Sequence, residues 1–307
     1  MTSKPVYIVL LSYKNNLDTV ECIKSLLLSN YNNFKILIVE NSEDDRFYND
    51  LAVKIKESRL NTDYIFINER NLSLRLDHQL IFIRSNSNKG FSAGNNIALK
   101  YILNKLDLNS FIWILNNDTV VLDSTLTNLV SYYENLLNQG TKLGVLGSKL
   151  LYYDKPNNIQ AIGGQFINSL YICKHIVNEN NKDNIDYIVG ASMFVSTNFV
   201  QDVGLLPEDY FLYFEELDWI YLSRKKGYSI DYCSKAIVYH KEGATIGSSS
   251  IGDKSEFSEI ELFKSRKKFI QKYYALNFTY YFSTLLLLIN RIRKGKFSLV
   301  KKLIKVV

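Results

Sequence analysis

The chain has 307 residues, 47% hydrophobic and 22% charged, which suits one large domain, or one domain with an appendage, and buries a full core. Its three cysteines, Cys22, Cys173 and Cys233, are far apart and odd in number, which argues against a disulfide framework and for a reducing compartment. The net charge of +6 is unevenly spread: 12 Lys/Arg and no acid follow Leu262, leaving 25 of the chain's 37 basic residues against all 31 acids before it. An acidic body with a basic tail points the tail at an anionic surface and disfavours a nucleic-acid binder, since the basic blocks flank an apolar stretch.

Residues 6–11 form an apolar run of strand type, too short for the hydrophobic core of a signal peptide. Over 18–28, Val20, Ile23, Leu26 and Leu27 recur at helical spacing, and 35–39 reads as a second strand, which together make a βαβ unit. Residues 43–80 read as a polar connection with a candidate strand at 64–67. A third strand is predicted at 81–84, after which a Gly- and Asn-rich turn, 88–96, opens a helix running through Leu103. A fourth strand at 111–115 and a helix at 124–137 complete an alternation that predicts an α/β fold. Its sheet is mostly parallel and Rossmann-like, with helices on both faces.

The second half is less regular. Strands are predicted at 145–153, 187–196, 228–232 and 237–239, the last ending at His240. Residues 243–252 are small and polar, as in a linker or mobile loop. In the tail, 275–289 is uncharged and largely apolar between basic blocks at 264–272 and 291–305. That run is shorter than the roughly 20 residues of a spanning helix. Two readings stay open: an amphipathic helix lying in a membrane interface, or a helix packed on the body with its Lys/Arg in water.

Polar clusters at strand ends carry the chemistry. The first strand ends in Ser12-Tyr13, the second in Glu40-Asn41-Ser42, the fourth in Asn116-Asn117-Asp118. If those strands are neighbours, the clusters meet at the carboxyl edge of the sheet, where open α/β sheets bind ligands. Asp118 is then a candidate ligand for a hard divalent cation bridging to a phosphate, or else part of an Asx turn. Glu40 could accept from a nucleobase N–H or a ribose hydroxyl. Gly90 and Gly94 allow close backbone approach at a helix N-terminus suited to an anion, although the turn is neither a Walker sequence nor a dinucleotide fingerprint. The aromatic run 210–214 delivers Glu215, Glu216 and then Asp218; acids after such a run serve as a general base or as a solvated helix start. His240, at a strand end, could complete a metal site with Asp118.

In order, these segments resemble the family 2 glycosyltransferases, in particular their bacterial rhamnosyltransferase-like branch. The matching pieces are Ser12-Tyr13, Val39-Glu40-Asn41-Ser42, Asn88-Lys89-Gly90-Phe91 with Gly94-Asn95, Leu115-Asn116-Asn117-Asp118, Gly190-Ala191, Phe211-Leu212-Tyr213-Phe214-Glu215-Glu216-Leu217-Asp218, and Val238-Tyr239-His240. They cover about residues 5–245. The resemblance implies a GT-A fold over 1–252, with a nucleotide-binding half to about 120 and an acceptor half beyond, followed by the helical tail 253–307. It implies an inverting enzyme that takes a sugar from a dTDP- or UDP-sugar to a saccharide or lipid-linked acceptor in surface polysaccharide synthesis. Such an enzyme would use Mg²⁺ or Mn²⁺ and sit on the inner face of the cell membrane. A non-catalytic nucleotide-sugar-binding or scaffold member is the alternative.

Carried over by residue, the donor would meet Ser12, Tyr13, Glu40, Ser42, Asn88, Gly90, Gly94, Asn95, Asn116 and Asn117. The metal would meet Asp118 and His240, and the acceptor Gly190, Ala191, Asp218 and Trp219. Glu216 would be the base, with Glu215 beside it. Three departures stand out. The family usually has Asp at positions 40 and 216, Asn116 replaces the first acid of the metal motif, and 43–85 is longer than usual.

Overall fold

The computed structural model describes residues 3–72, 75–105, 109–241 and 255–307. The small, polar loop expected at 243–252 lies outside them. A mixed sheet of ten strands runs through the centre of the described residues. Its first half is parallel: β3 (Tyr64–Asn68), β4 (Leu80–Arg84), β2 (Phe34–Glu40), β1 (Val6–Ser12) and β5 (Phe111–Asn116) lie side by side in that order. Beyond β5 come β11 (Ser192–Ser196), antiparallel, then β7 (Leu143–Tyr152) and β12 (Ser229–His240), parallel to each other. The short β6 (Thr119–Val121) closes that edge antiparallel to β12, and β8 (Lys155–Ala161) pairs with β7. A hairpin of β9 (Gly163–Ile167) and β10 (Ile172–Ile176) stands apart.

Alternation along the central strands builds two cores. In β1, Val6, Ile8 and Leu10 pack against α1 (Asn16–Leu27), α2 (Asp45–Glu57) and α4 (Thr125–Asn138). Tyr7 and Val9 point the other way, to α3 (Phe91–Lys105), α5 (Thr197–Val203) and α6 (Glu215–Arg224). Burial on both faces explains why these strands read as unbroken apolar runs.

Three expectations change. The connection 43–80 holds the expected strand as β3 but also an unexpected helix, α2, and together they form an added unit on the sheet edge that accounts for its length. Only Leu51 and Ile55 of α2 are buried, so its apolar stripe is too thin to stand out in sequence. The strands expected at 228–232 and 237–239 are one strand, β12, with a register shift between Cys233 and Ile237. The strand expected at 187–196 begins only at Ser192, because 187–191 forms the approach to the site.

The tail folds as α7 (Glu256–Tyr273), α8 (Phe278–Arg293) and α9 (Phe297–Leu303). Phe269, Ile270 and Tyr280 join the same buried cluster as α3 and α6, so the tail packs on the body. Among the described residues, no helix is long and apolar enough to cross a membrane. The outer face of α8 nonetheless leaves Phe278, Tyr281, Phe282, Leu285, Leu286 and Ile292 exposed.

Candidate active site

Register brings the strand-end clusters together. Leu11 stands opposite Asn116, Ser12 opposite Glu40, and Glu40 opposite Arg84, in one row across the carboxyl edge. The chain then turns through Asn117 and Asp118 into β6, whose Thr119 pairs with His240 at the end of β12. A backbone bond from Lys241 N to Asp118 O, 3.0 Å, closes the corner. Residues 122 positions apart in sequence are thereby made neighbours, and Asp118 Oδ1 lies 3.2 Å from His240 Nε2.

The electrostatics of this pair follow from its surroundings. His240 Nδ1 is 2.8 Å from Gln160 Oε1, a contact that fixes the ring with Nε2 towards Asp118. Burial pushes the Asp118 carboxyl up, but the His240 charge and hydrogen bond outweigh it and hold the group below its ordinary value. Asn116 Nδ2 stands 3.4 Å from His240 Nε2, so Asn at this position serves the histidine rather than offering a second charge. Asn117 faces inward: its Nδ2 donates to Thr19 Oγ1 at 2.8 Å and anchors the turn to α1.

Asp118 and His240 open into a cavity of about 460 Å³, within the range of small-molecule sites. Leu11 lines it from β1 and Tyr13 from just beyond, Gly190 and Ala191 from the approach to β11, and Glu215 and Glu216 from the start of α6. The acid pair is presented by strained backbone. Tyr213 and Phe214 both have positive φ, 70° and 73°, a conformation that costs non-glycine residues energy. The turn is held from outside, with Phe91 N donating to Phe211 O at 2.9 Å and Ser265 Oγ to Leu212 O at 2.7 Å. Burial, and after it the neighbouring Glu216 charge, keep the Glu215 carboxyl well above the ordinary carboxylate range. The Oε2 atom of Glu215 is buried without a hydrogen bond among the described residues.

Other expected residues are placed differently. Gly90 and Gly94 sit at close approaches of the backbone. A Cβ on Gly90 would lie 2.2 Å from Phe211 O, and one on Gly94 2.4 Å from Leu11 Cδ1, so both glycines permit close packing. Gly90 N donates to Asn88 Oδ1 at 3.0 Å and Phe91 N to Phe211 O. Asn95 caps inward, its Nδ2 donating to Phe91 O at 3.0 Å. Asp218 and Trp219 do not face the cavity. Asp218 is fully buried and accepts from Tyr210 Oη at 2.9 Å, Lys272 Nζ at 2.7 Å and Tyr273 Oη. Trp219 sits in the core, donating from Nε1 to Gly204 O at 3.0 Å. Helical geometry turns these two residues away from the side that Glu215 and Glu216 present.

Glu40 lies at the same sheet edge, outside the lining of that cavity. It is fully buried, and its Oε1 accepts from Ser42 N at 3.1 Å and from Ser42 Oγ. Its Oε2 is 3.6 Å from Arg84 Nη1 and has no hydrogen-bond partner. Burial raises the Glu40 carboxyl above its ordinary value against the pull of Ser42 and Arg84. Ser12 is turned to Thr19, 2.9 Å away.

Gln160, Arg266 and Arg291 are the lining or supporting residues that sequence reasoning missed. Gln160 belongs to β8, a strand with no apolar alternation to announce it. The two arginines were counted only as part of a basic block.

Among the described residues, no group of three or more His, Cys, Asp or Glu converges as a metal cage. A two-donor site does fit Mg²⁺ or Mn²⁺, which are held by one or two protein ligands together with substrate phosphates. A buried carboxylate beside an imidazole whose other nitrogen is already tied down supplies that donor set.

Residues 7–197 match the family described as glycosyl transferase family 2. Over 164 residues the chain is 24% identical to the low-salt glycan biosynthesis hexosyltransferase Agl10 of Haloferax volcanii, covering 52% of each protein. The chain thus spans about half the length of that curated relative. Among solved structures it is similar to the mannosyltransferase PcManGT from Pyrobaculum calidifontis in complex with GDP-Man and Mn²⁺, with TM-score 0.56 and 12% identity, covering 88% of this chain and 64% of that one. It is also similar to residues 1–349 of S. aureus TarS in complex with UDP-GlcNAc, with TM-score 0.51 and 16% identity, covering 87% and 66%. At these identities the likeness shows the fold, which is of the GT-A type.

Proposed function

Because the chain belongs to glycosyl transferase family 2, we propose that it transfers a sugar from a nucleoside-diphosphate donor to a hydroxyl of a saccharide or lipid-linked acceptor, with inversion. The observation that carries this reading is the pair Asp118–His240, brought together at one end of a cavity whose other wall presents Glu215 and Glu216. Asp118 Oδ1 and His240 Nε2 would hold Mg²⁺ or Mn²⁺. When bound, the metal supplies charge neutralisation to the diphosphate. Glu216 takes the proton of the acceptor hydroxyl as its oxygen bonds to the anomeric carbon. The bond from that carbon to the diphosphate oxygen breaks, and the nucleoside diphosphate leaves with the electron pair. Glu40 Oε2, buried and without a hydrogen bond, is an acceptor suited to a pyrimidine imide N–H, which favours a dTDP- or UDP-sugar, rhamnose included.

The test is a thermal-shift panel of nucleoside diphosphates and their sugars, with and without Mn²⁺. Wild-type protein is expected to be stabilised selectively by dTDP or UDP compounds, with a Mn²⁺ increment that Asp118→Asn abolishes. No shift with any nucleotide, or an unchanged increment in the variant, would sink the reading.

The reading extends to location. We infer that α8 rests on an anionic membrane surface, because its exposed apolar face is bordered by exposed Arg293 and Lys294. In flotation, the protein should rise with anionic vesicles and less with neutral ones. A Phe282→Ser/Leu285→Ser double variant that floats equally well removes this assignment.

A further inference from the structure

Arg266 is the residue of the cavity wall whose charge has no evident use. It lies on α7, is 3% exposed and lines the cavity. Every hydrogen bond it makes goes to a neutral group: Nε to Tyr171 O at 2.8 Å, Nη1 to Thr284 Oγ1 at 2.7 Å, Nη2 to Leu170 O at 3.3 Å and to Ser283 Oγ. Its guanidinium lies over the Tyr280 ring at 4.9 Å. Four donors are thereby engaged, and one Nη1 N–H has no partner among the described residues.

Among the described residues, no carboxylate forms an ion pair with this cation. The acids of α7 are each committed elsewhere, Glu259 to Arg291 at 2.8 Å, Glu261 to Lys264 at 2.7 Å, and Glu256 to Lys302. Arg291, the other guanidinium on the wall, is thereby paired, whereas Arg266 is not. A buried ion without a counter-ion is costly, by several kcal/mol even after relaxation. Neutral hydrogen bonds and a ring face offset part of that cost, and an incoming anion would remove the rest. Burial indeed works against the charged form of Arg266. Around it the wall is apolar, with Leu262, Phe263 and Leu287.

We propose that Arg266 is the anion subsite of the acceptor: it takes a phosphoryl group, while an attached apolar chain lies against Leu262 and Leu287. This rests on the reading of the cavity as a glycosyl-transfer site and specifies the acceptor class as an amphiphilic sugar phosphate. Guanidinium suits this task, since its remaining Nη1 N–H can donate to a phosphoryl oxygen and its charge persists at any physiological pH. The donor diphosphate is assigned to other residues, Asp118 and His240, so substitutions at Arg266 can separate the two phosphate-binding functions.

The experiment compares hexyl phosphate, hexanol and inorganic phosphate by calorimetry on wild-type protein, Arg266→Gln and Arg266→Lys, with UDP, dTDP and GDP plus Mn²⁺ titrated in parallel. Wild type should bind hexyl phosphate at least about tenfold more tightly than hexanol, the scale of one charged hydrogen bond. Arg266→Gln should lose that preference, Arg266→Lys should keep part of it, and nucleotide affinity should be unchanged in both variants. A preference that survives in Arg266→Gln overturns the proposal. So does nucleotide affinity that falls by the same factor, which would assign Arg266 to the donor. Equal affinity for inorganic and hexyl phosphate overturns the amphiphile. Should Arg266→Gln fail to fold, the wild type still decides, because absence of preference for hexyl phosphate over hexanol ends the proposal. Failure of every nucleotide to bind wild type would instead count against the transferase reading alone.

Discussion

The two ends of the α6 side of the molecule treat buried aspartate in opposite ways. Asp118, at the sheet edge, meets a single imidazole and opens into a cavity. Asp218, a hundred residues later and equally buried, is enclosed by Tyr210, Tyr273 and Lys272 and reaches no cavity. Both carboxylates are paired, but one pairing is incomplete and accessible while the other is saturated. The difference separates the residue proposed to hold a ligand from one that fastens α7 to α6. Charge and burial alone would not have told them apart.

The acid pair at the start of α6 gives the largest expected effect on either side of this contrast. Glu216→Gln should lower transfer by about two to four orders of magnitude, the range for a general base, with donor affinity retained. Unchanged turnover, measured by nucleoside diphosphate release, would move the base elsewhere. Next comes Asp218→Ala, which strands two buried tyrosine hydroxyls and an ammonium. A loss of about 2–4 kcal/mol is expected, discounted because Lys272 is partly exposed, and read as a lower thermal midpoint with activity per folded molecule retained. Full loss of activity at unchanged stability would put Asp218 back in the site.

The smallest effect concerns Glu215. Its folded-state carboxyl is held well above the ordinary value of 4.5, so the native state keeps a proton that the unfolded chain releases. Stability from this group is fully present below about pH 4.5 and is lost as pH rises towards the folded value. Glu215→Gln mimics the protonated form. It should match wild type at about pH 4 and become the more stable protein as pH rises. Parallel melting curves at all pH values would show that Glu215 is not buried as a neutral acid.

Much of the site was legible because strands carry their polar ends in predictable places. Asn116-Asn117-Asp118 follows a buried run, and so does Glu40; each marks the carboxyl edge of the sheet without any knowledge of its partners. The glycines of 88–96 were legible as close approaches, but sequence could not say to what. They approach the 211 backbone and Leu11. Asp218 and Trp219 shared a motif with Glu216 yet face another way, since one turn of helix distributes neighbours over all sides. Helix α2 was hidden by its own exposure: with two buried residues it left a polar stretch that read as loop.

Alone, the sequence determined the alternating α/β plan, the strand-end clusters and the acidic body with a basic tail, because each is written in a local period or a composition. Tertiary structure decided which clusters meet. The short β6 pairs back on β12 and sets Asp118 beside His240; β8 brings Gln160 behind that histidine; and α7 folds over the body to set Arg266 in the cavity wall. These are contacts between distant segments, fixed by register and packing of elements whose own patterns say nothing of their partners.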